Sequence, residues 1–137
     1  MTRNTRTGGV LEAMILPALD QGGYAHHQQQ LVGQRLGGRK HVIDAIAEKD
    51  SKRFLISLKW QQTGGTAEQK VPFEVLSLAD ALVKGGFDGA YLVLGGEGWT
   101  LRDFYISGEL EKQLVGVERV KILTLEAFVA LANQGKL

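Results

Sequence analysis

The chain contains no cysteine, which removes at once a disulfide framework, a thiolate nucleophile and any cysteine-ligated zinc site. An intracellular, cytoplasmic setting is therefore the expectation. Proline is almost absent, with only Pro17 and Pro72, so no proline-rich linker divides the chain. Long apolar runs are missing too. The one from Val10 to Leu19 is interrupted by Glu12 and Pro17, and neither a signal peptide nor a membrane span is expected. The net charge of +1 gives no overall pull on a polyanion. Acid is locally absent, however: Gln21 to Ile43 holds none, yet carries Arg35, Arg39, Lys40, three histidines and five glutamines. A polyanion could approach that stretch without repulsion. The alternative is a polar, glycine-rich hairpin with ordinary surface charges.

What is present fits a globular domain, at 44% hydrophobic and 23% charged residues in 137. Glycine is abundant, 18 residues against a usual share of about 7%, so many tight turns are expected. Through Arg53 there are eight basic and five acidic residues, and beyond it eight and ten, which gives +3 and −2. No repeat or linker is visible. Residues 1–7 read as a flexible N-terminal tail and 8–137 as a single domain.

Apolar residues at three- and four-residue intervals from Gly9 to Asp20 predict a helix with one buried face, kinked by Pro17 and ended by Gly22-Gly23. Tyr24 to Val32 reads as a strand or an extended arm, followed by a turn region to Gly38. Lys40 to Glu48 and Lys52 to Gln61 predict an antiparallel hairpin across Lys49-Asp50-Ser51. A helix follows up to Gly85, with Pro72 expected in its first turn. Phe87 to Leu94 reads as a buried central strand, Thr100 to Leu114 as a weaker helix and Arg119 to Leu123 as a last strand. Thr124 then caps a C-terminal helix to Asn133. The order predicts an α/β fold, a mixed central sheet flanked by helices.

Chemistry concentrates on the predicted hairpin. Alternation puts Ser57, Lys59 and Gln61 on one face of their strand and Ile56, Leu58 and Trp60 on the other. The partner strand carries Asp44, whose neighbours Val42 and Ile46 share its face and argue for burial. A carboxylate and a lysine on adjacent strands must neutralise each other or hold a metal ion. Glu74, in the next helix, and Glu12, the lone acid of the first, are further candidates. Two or three carboxylates beside a lysine make a hard-oxygen site suited to Mg²⁺ and to stabilising charge on a phosphodiester under attack.

This arrangement resembles the PD-(D/E)XK nuclease superfamily, with its restriction-endonuclease-like fold of α-β-β-β-α-β-α-β order. The superfamily has a glutamate on a first helix, an aspartate on a second strand and an acid-x-lysine on the next, positions matched by Glu12, Asp44 and Ser57-Leu58-Lys59. Lys59-Trp60-Gln61 also looks like members in which glutamine follows the lysine by two. Ser57 departs from the pattern by standing where an acid is usual. A subgroup with serine there draws its acid from the following helix, and Glu74, fifteen residues after Lys59, sits near that spacing.

The resemblance implies a Mg²⁺-dependent DNA endonuclease of restriction, homing or junction-resolving type, with Mn²⁺ as a substitute ion. Asp44, Lys59, Glu74, Glu12 and Gln61 would be catalytic, with Asp44, Glu74 and Leu58 holding the metal. Arg35, Arg39, Lys40, His26 and Lys70 would contact DNA, and a homodimer or higher symmetric oligomer would present two sites. The alternative is a catalytically inactive nuclease-fold module that binds DNA or a protein partner. Gly95-Gly96-Glu97-Gly98 lacks the lysine and hydroxyl residue of a phosphate loop, and is expected to be a turn.

Overall fold

The computed structural model describes residues 5–137; residues 1–4 of the expected tail lie outside the described residues. A helix already begins within that tail. Helix α1 (Thr5–Val10) runs through a π turn (Leu11–Ile15) into α2 (Leu16–Gln21). Proline inside a helix lacks a donor and crowds the carbonyl four residues back. The helix widens just ahead of Pro17, with the Leu16 N–H donating to the Leu11 carbonyl, so the helix passes the proline without breaking.

Strands β1 (Ala25–Gln34), β2 (Lys40–Lys49) and β3 (Lys52–Trp60) form an antiparallel meander. Lys49 pairs with Lys52, so the second turn is only Asp50-Ser51, both left-handed at φ 53 and 66. Two such residues match the twist of a tight hairpin. Helix α3 (Ala67–Gly85) crosses to β4 (Gly89–Gly95), which lies parallel to β3, and β5 (Val120–Thr124) adds parallel to β4. The weaker helix expected at 100–114 is a short α4 (Arg102–Ile106) and a 3₁₀ turn at Glu111–Gln113. Helix α5 (Leu125–Asn133) is capped as expected, with Thr124 Oγ1 accepting from the Ala127 N–H at 3.1 Å. The sheet order is β1-β2-β3-β4-β5. This is the mixed sheet with flanking helices that the sequence predicts.

Pro72 differs from expectation. α3 starts at Ala67, so the proline lies in the second turn. Its missing N–H leaves the Glu68 carbonyl without its helical donor. The Tyr105 hydroxyl supplies one, at 2.6 Å, and ties the short α4 to α3.

Each sheet face has its own core. On one, Ile43, Ile46, Leu55, Leu92 and Leu94 pack beneath Val71, Val75, Leu78 and Leu82 of α3. On the other, Ala45, Ala47, Ile56, Leu58, Tyr91 and Val93 meet Leu11, Ile15 and Leu19 of the N-terminal helices and Phe128 of α5. Strand β3 alternates cleanly between the two. Strand β2 does not: Ile43 joins the α3 side while Ala45 and Ala47 join the opposite one. Alternation therefore slips at Asp44. Opposite Asp44, Gln29 is left out of the ladder to β1 and has a φ of 53, while the register is the same on either side (Gln28↔Ala45, Gln30↔Ile43) and shifts between Leu31 and Gln34.

Candidate active site

The β2–β3 ladder stops at Ala45↔Ile56. Beyond that pair, Lys40–Asp44 stay with β1 and Ser57–Trp60 with β4. The two strand ends diverge and leave a notch on the α3 side. Asp44 stands at the fork, half-buried, and its Oδ2 accepts the Leu58 N–H at 2.7 Å. A main-chain donor that lost its ladder partner is thereby satisfied. The shared face expected for Asp44 with Val42 and Ile46 does not occur, because of the slip in β2: Ile46 is buried and Val42 is 42% exposed.

Glu74 of α3 spans the notch. It is 2% exposed, and its Oε2 accepts from Ser57 Oγ at 2.8 Å on one strand and lies 3.3 Å from His41 Nε2 on the other. Its Oε1 accepts from the Arg35 guanidinium. Burial alone pushes this carboxyl's pKa up. The His41 hydrogen bond and the positive charges of Lys59, Arg35 and His41 outweigh burial and hold it at about 2. Glu74 is thus a carboxylate at any physiological pH, and removing its partners leaves a buried charge uncompensated, at a cost of about 3–5 kcal/mol. Lys59 is half-buried on the same strand face as Ser57.

A second buried carboxylate lies about one and two-thirds turns earlier on α3. Glu68 accepts the main-chain N–H groups of Thr100 and Leu101 and, at 2.7 Å, the Thr100 hydroxyl. Its pKa is lowered, chiefly by that hydroxyl, with burial opposing and the two N–H groups and Gln61 assisting. Gln61 is buried and donates from Nε2 to the Gly98 carbonyl at 2.7 Å. The loop can approach only because it is glycine: at Gly96, with φ 90, a Cβ would stand 2.3 Å from the Gln61 carbonyl oxygen. The expected turn at 95–98 is therefore a braced loop. Beside it a cleft of about 450 Å³, bordered by Leu94, Trp99, Arg102 and Thr124, opens at the sheet end where Lys59 pairs with Leu94.

A family comparison matches residues 3–136 to the PD-(D/E)XK nuclease superfamily domain. The chain belongs to the PD-(D/E)XK nuclease superfamily. Among curated proteins none matches. A solved structure, the crystal structure of a protein of unknown function, AF1548, matches with a TM-score of 0.53 at 18% identity over 88% of this chain. That likeness is one of fold. This chain spans 58% of the length of that protein.

Of the residues the resemblance singled out, the structure of this superfamily member brings Asp44, Leu58, Lys59 and Glu74 to the notch and leaves others outside it. Leu58 turns its side chain into the core on the opposite face and contributes main-chain groups only. Glu12 is exposed on the π turn, against the sheet face opposite Glu74. Gln61 serves the 95–98 loop. His26 lies 2.9 Å from Asp20, and Arg35 is bound to Glu74, whereas Arg39, Lys40 and Lys70 are exposed. His41 was not foreseen. It is fully buried, and the face slip at Asp44 that turns it toward α3 leaves no mark in residue type. Glu68 was missed as well, because a helix with Pro72 in its first turn leaves residue 68 in the loop before it, whereas the helix begins at Ala67.

Among the described residues no three His, Asp or Glu side chains converge, and no helix is long and apolar enough to cross a membrane.

Proposed function

We propose that the protein is a divalent-metal-dependent DNA endonuclease whose acid, displaced from residue 57, is supplied by Glu74. One observation carries this reading. Glu74 Oε2 lies 2.8 Å from Ser57 Oγ, so its carboxylate sits where an acidic side chain at residue 57 would project. Asp44 stands at the same fork, on the Leu58 N–H next along from Ser57, and Lys59 follows two residues along the strand.

The donor chemistry fits Mg²⁺, which takes one or two carboxylates and completes its shell with water and substrate oxygens. Asp44, Glu74 and the main-chain oxygen of Leu58 would hold it, and Mn²⁺ would substitute. Such an ion supplies Lewis-acid charge against the phosphate. The chain does the rest. Ser57 and His41 fix the rotamer of Glu74. Lys59 offers three donors and a positive charge to a non-bridging phosphate oxygen, and orients the water that attacks phosphorus as the bond to the leaving oxygen breaks. The exposed Arg39, Lys40 and Lys70, with the acid-free tract Gln21–Ile43, would take flanking phosphates. A twofold dimer would cut both strands of a duplex.

The test is cleavage of supercoiled plasmid and of a four-way DNA junction in Mg²⁺ or Mn²⁺, with Asp44→Asn and Lys59→Ala beside the parent. Cleavage lost in both variants and in chelator supports the reading. The Arg35–Glu74 ion pair favours a second reading, a module that binds DNA without cutting. DNA held equally well in chelator, with no cleavage by the parent, would establish that one instead.

A further inference from the structure

Glu74 has three hydrogen-bonding partners, and one of them is unlike the others. Ser57 and His41 are buried at 3% and 0% exposure and belong to the strand ends that form the notch. Arg35 reaches in from solvent: its side chain is 26% exposed, against 3% for Glu74. It lies just past the end of β1, where its N–H donates to the Arg39 carbonyl at 2.6 Å and its carbonyl accepts from the Gly38 N–H at 2.9 Å. Gly33, Gly37 and Gly38 around it adopt φ of 118, 93 and 95, and a Cβ at any of them would meet nothing within 4 Å. The glycines of the turn that carries Arg35 face open space. Arg35 also lies within the acid-free tract Gln21–Ile43, so a phosphate reaching it meets no competing carboxylate in the turn.

A guanidinium on a would-be metal ligand and the metal itself exclude each other, since both need the same oxygens. The planar fork of arginine fits a phosphate as well as it fits a carboxylate. Exchanging one for the other trades one charge-assisted pair for another. We propose that Arg35 is a displaceable counter-ion, which occupies Glu74 in the free protein and leaves it for a phosphate of bound DNA, so that substrate engages before the divalent cation. This rests on the nuclease reading of the notch. It adds an order of assembly, in which an empty enzyme is kept from binding metal and a nucleic-acid backbone opens the site.

The experiment is Mn²⁺ binding followed by electron paramagnetic resonance without DNA, on the parent, Arg35→Met, Arg35→Lys, Asp44→Asn and the double variant Arg35→Met with Glu74→Gln. Arg35→Met should bind Mn²⁺ about tenfold more tightly than the parent, a modest share of what an uncovered carboxylate gains. Arg35→Lys should match the parent, and the double variant should lose the gain. A second readout needs no substitution: in chelator, a short duplex should shift the Arg35 Nε–H NMR signal, which remains measurable if Arg35→Met fails to fold. If Mn²⁺ binds through Asp44 and Glu74 yet Arg35→Met binds no more tightly, or if the Arg35 signal ignores DNA, the counter-ion role is overturned while the metal site stands. If Mn²⁺ binding is indifferent to both Asp44 and Glu74, the nuclease reading itself falls, and this proposal with it.

Discussion

Helix α3 carries two buried glutamates whose surroundings differ in kind. Glu68 is satisfied by neutral donors, two main-chain N–H groups and a hydroxyl, all from Thr100 and Leu101. Glu74 is satisfied by groups that bear or can acquire charge, Arg35 and His41, with Lys59 nearby and one hydroxyl from Ser57. Neutral donors in a fixed loop pin a carboxylate and use it as a structural clasp. Ionisable donors, one of them open to solvent, leave a carboxylate that can change partners. Burial and a lowered pKa are common to both, so neither property by itself marks a working residue; the partners do.

Substitutions that keep shape and remove charge break this comparison most sharply. Asp44→Asn retains an oxygen for the Leu58 N–H, and Glu74→Gln retains one for Ser57, yet each should lower metal-dependent cleavage by about 10²–10³-fold. Glu68→Gln should lower the melting temperature and leave cleavage per folded molecule unchanged. Turnover and calorimetry on the three variants separate the two roles, and a Glu68→Gln enzyme that folds but does not cut would erase the distinction.

The next effect is on acid stability. Glu74's pKa falls from an ordinary 4.5 to about 2 on folding, so between those values the unfolded chain binds more protons than the native one. Stability from this group is complete above about pH 4.5 and is lost as pH falls toward 2, a contribution on the order of 3 kcal/mol. Melts from pH 5 to pH 2.5 should be flatter for Glu74→Gln than for the parent.

Smaller again is the link between α3 and α4. Tyr105→Phe removes the donor to the Glu68 carbonyl and should cost about 1–3 kcal/mol. Adding Pro72→Ala restores a helical N–H to that carbonyl and should recover part of the loss, as denaturant unfolding will show. Smallest is Ser57→Ala, at about 1 kcal/mol for one hydroxyl hydrogen bond, with Glu74 still held by Arg35 and His41.

The sequence made Asp44 and Lys59 legible because a charged residue inside an aliphatic strand stands out against two-residue alternation. Glu74 was legible through spacing, once Ser57 appeared where an acid was due. His41 and the role of Arg35 were not, since both depend on the slip at Asp44 and Gln29. Gln29 adopts a left-handed conformation without being glycine, asparagine or aspartate, so nothing in its identity announces the irregularity. Glu68 was hidden for another reason: its donors lie more than thirty residues away, in a loop whose course depends on Gln61. Patterns of local period reveal strands and helices, while clasps between distant segments leave no period to read.

The fork at Asp44 also gives the molecule a mechanical character. The β1–β2 hairpin is held to β3 along Ala45 to Lys49, and beyond the fork α3 holds it instead, through Ile43 and Val32 in the core and through Arg35 and His41 on Glu74. Residues 41–44, at about 3.3 Å each, make an arm of about 13 Å. His41 and Arg35 thus reach Glu74 from the hairpin, whereas Ser57 reaches it from a strand paired to β4. Glu74 is in that sense a rivet, joining two strand ends that the sheet itself leaves unpaired.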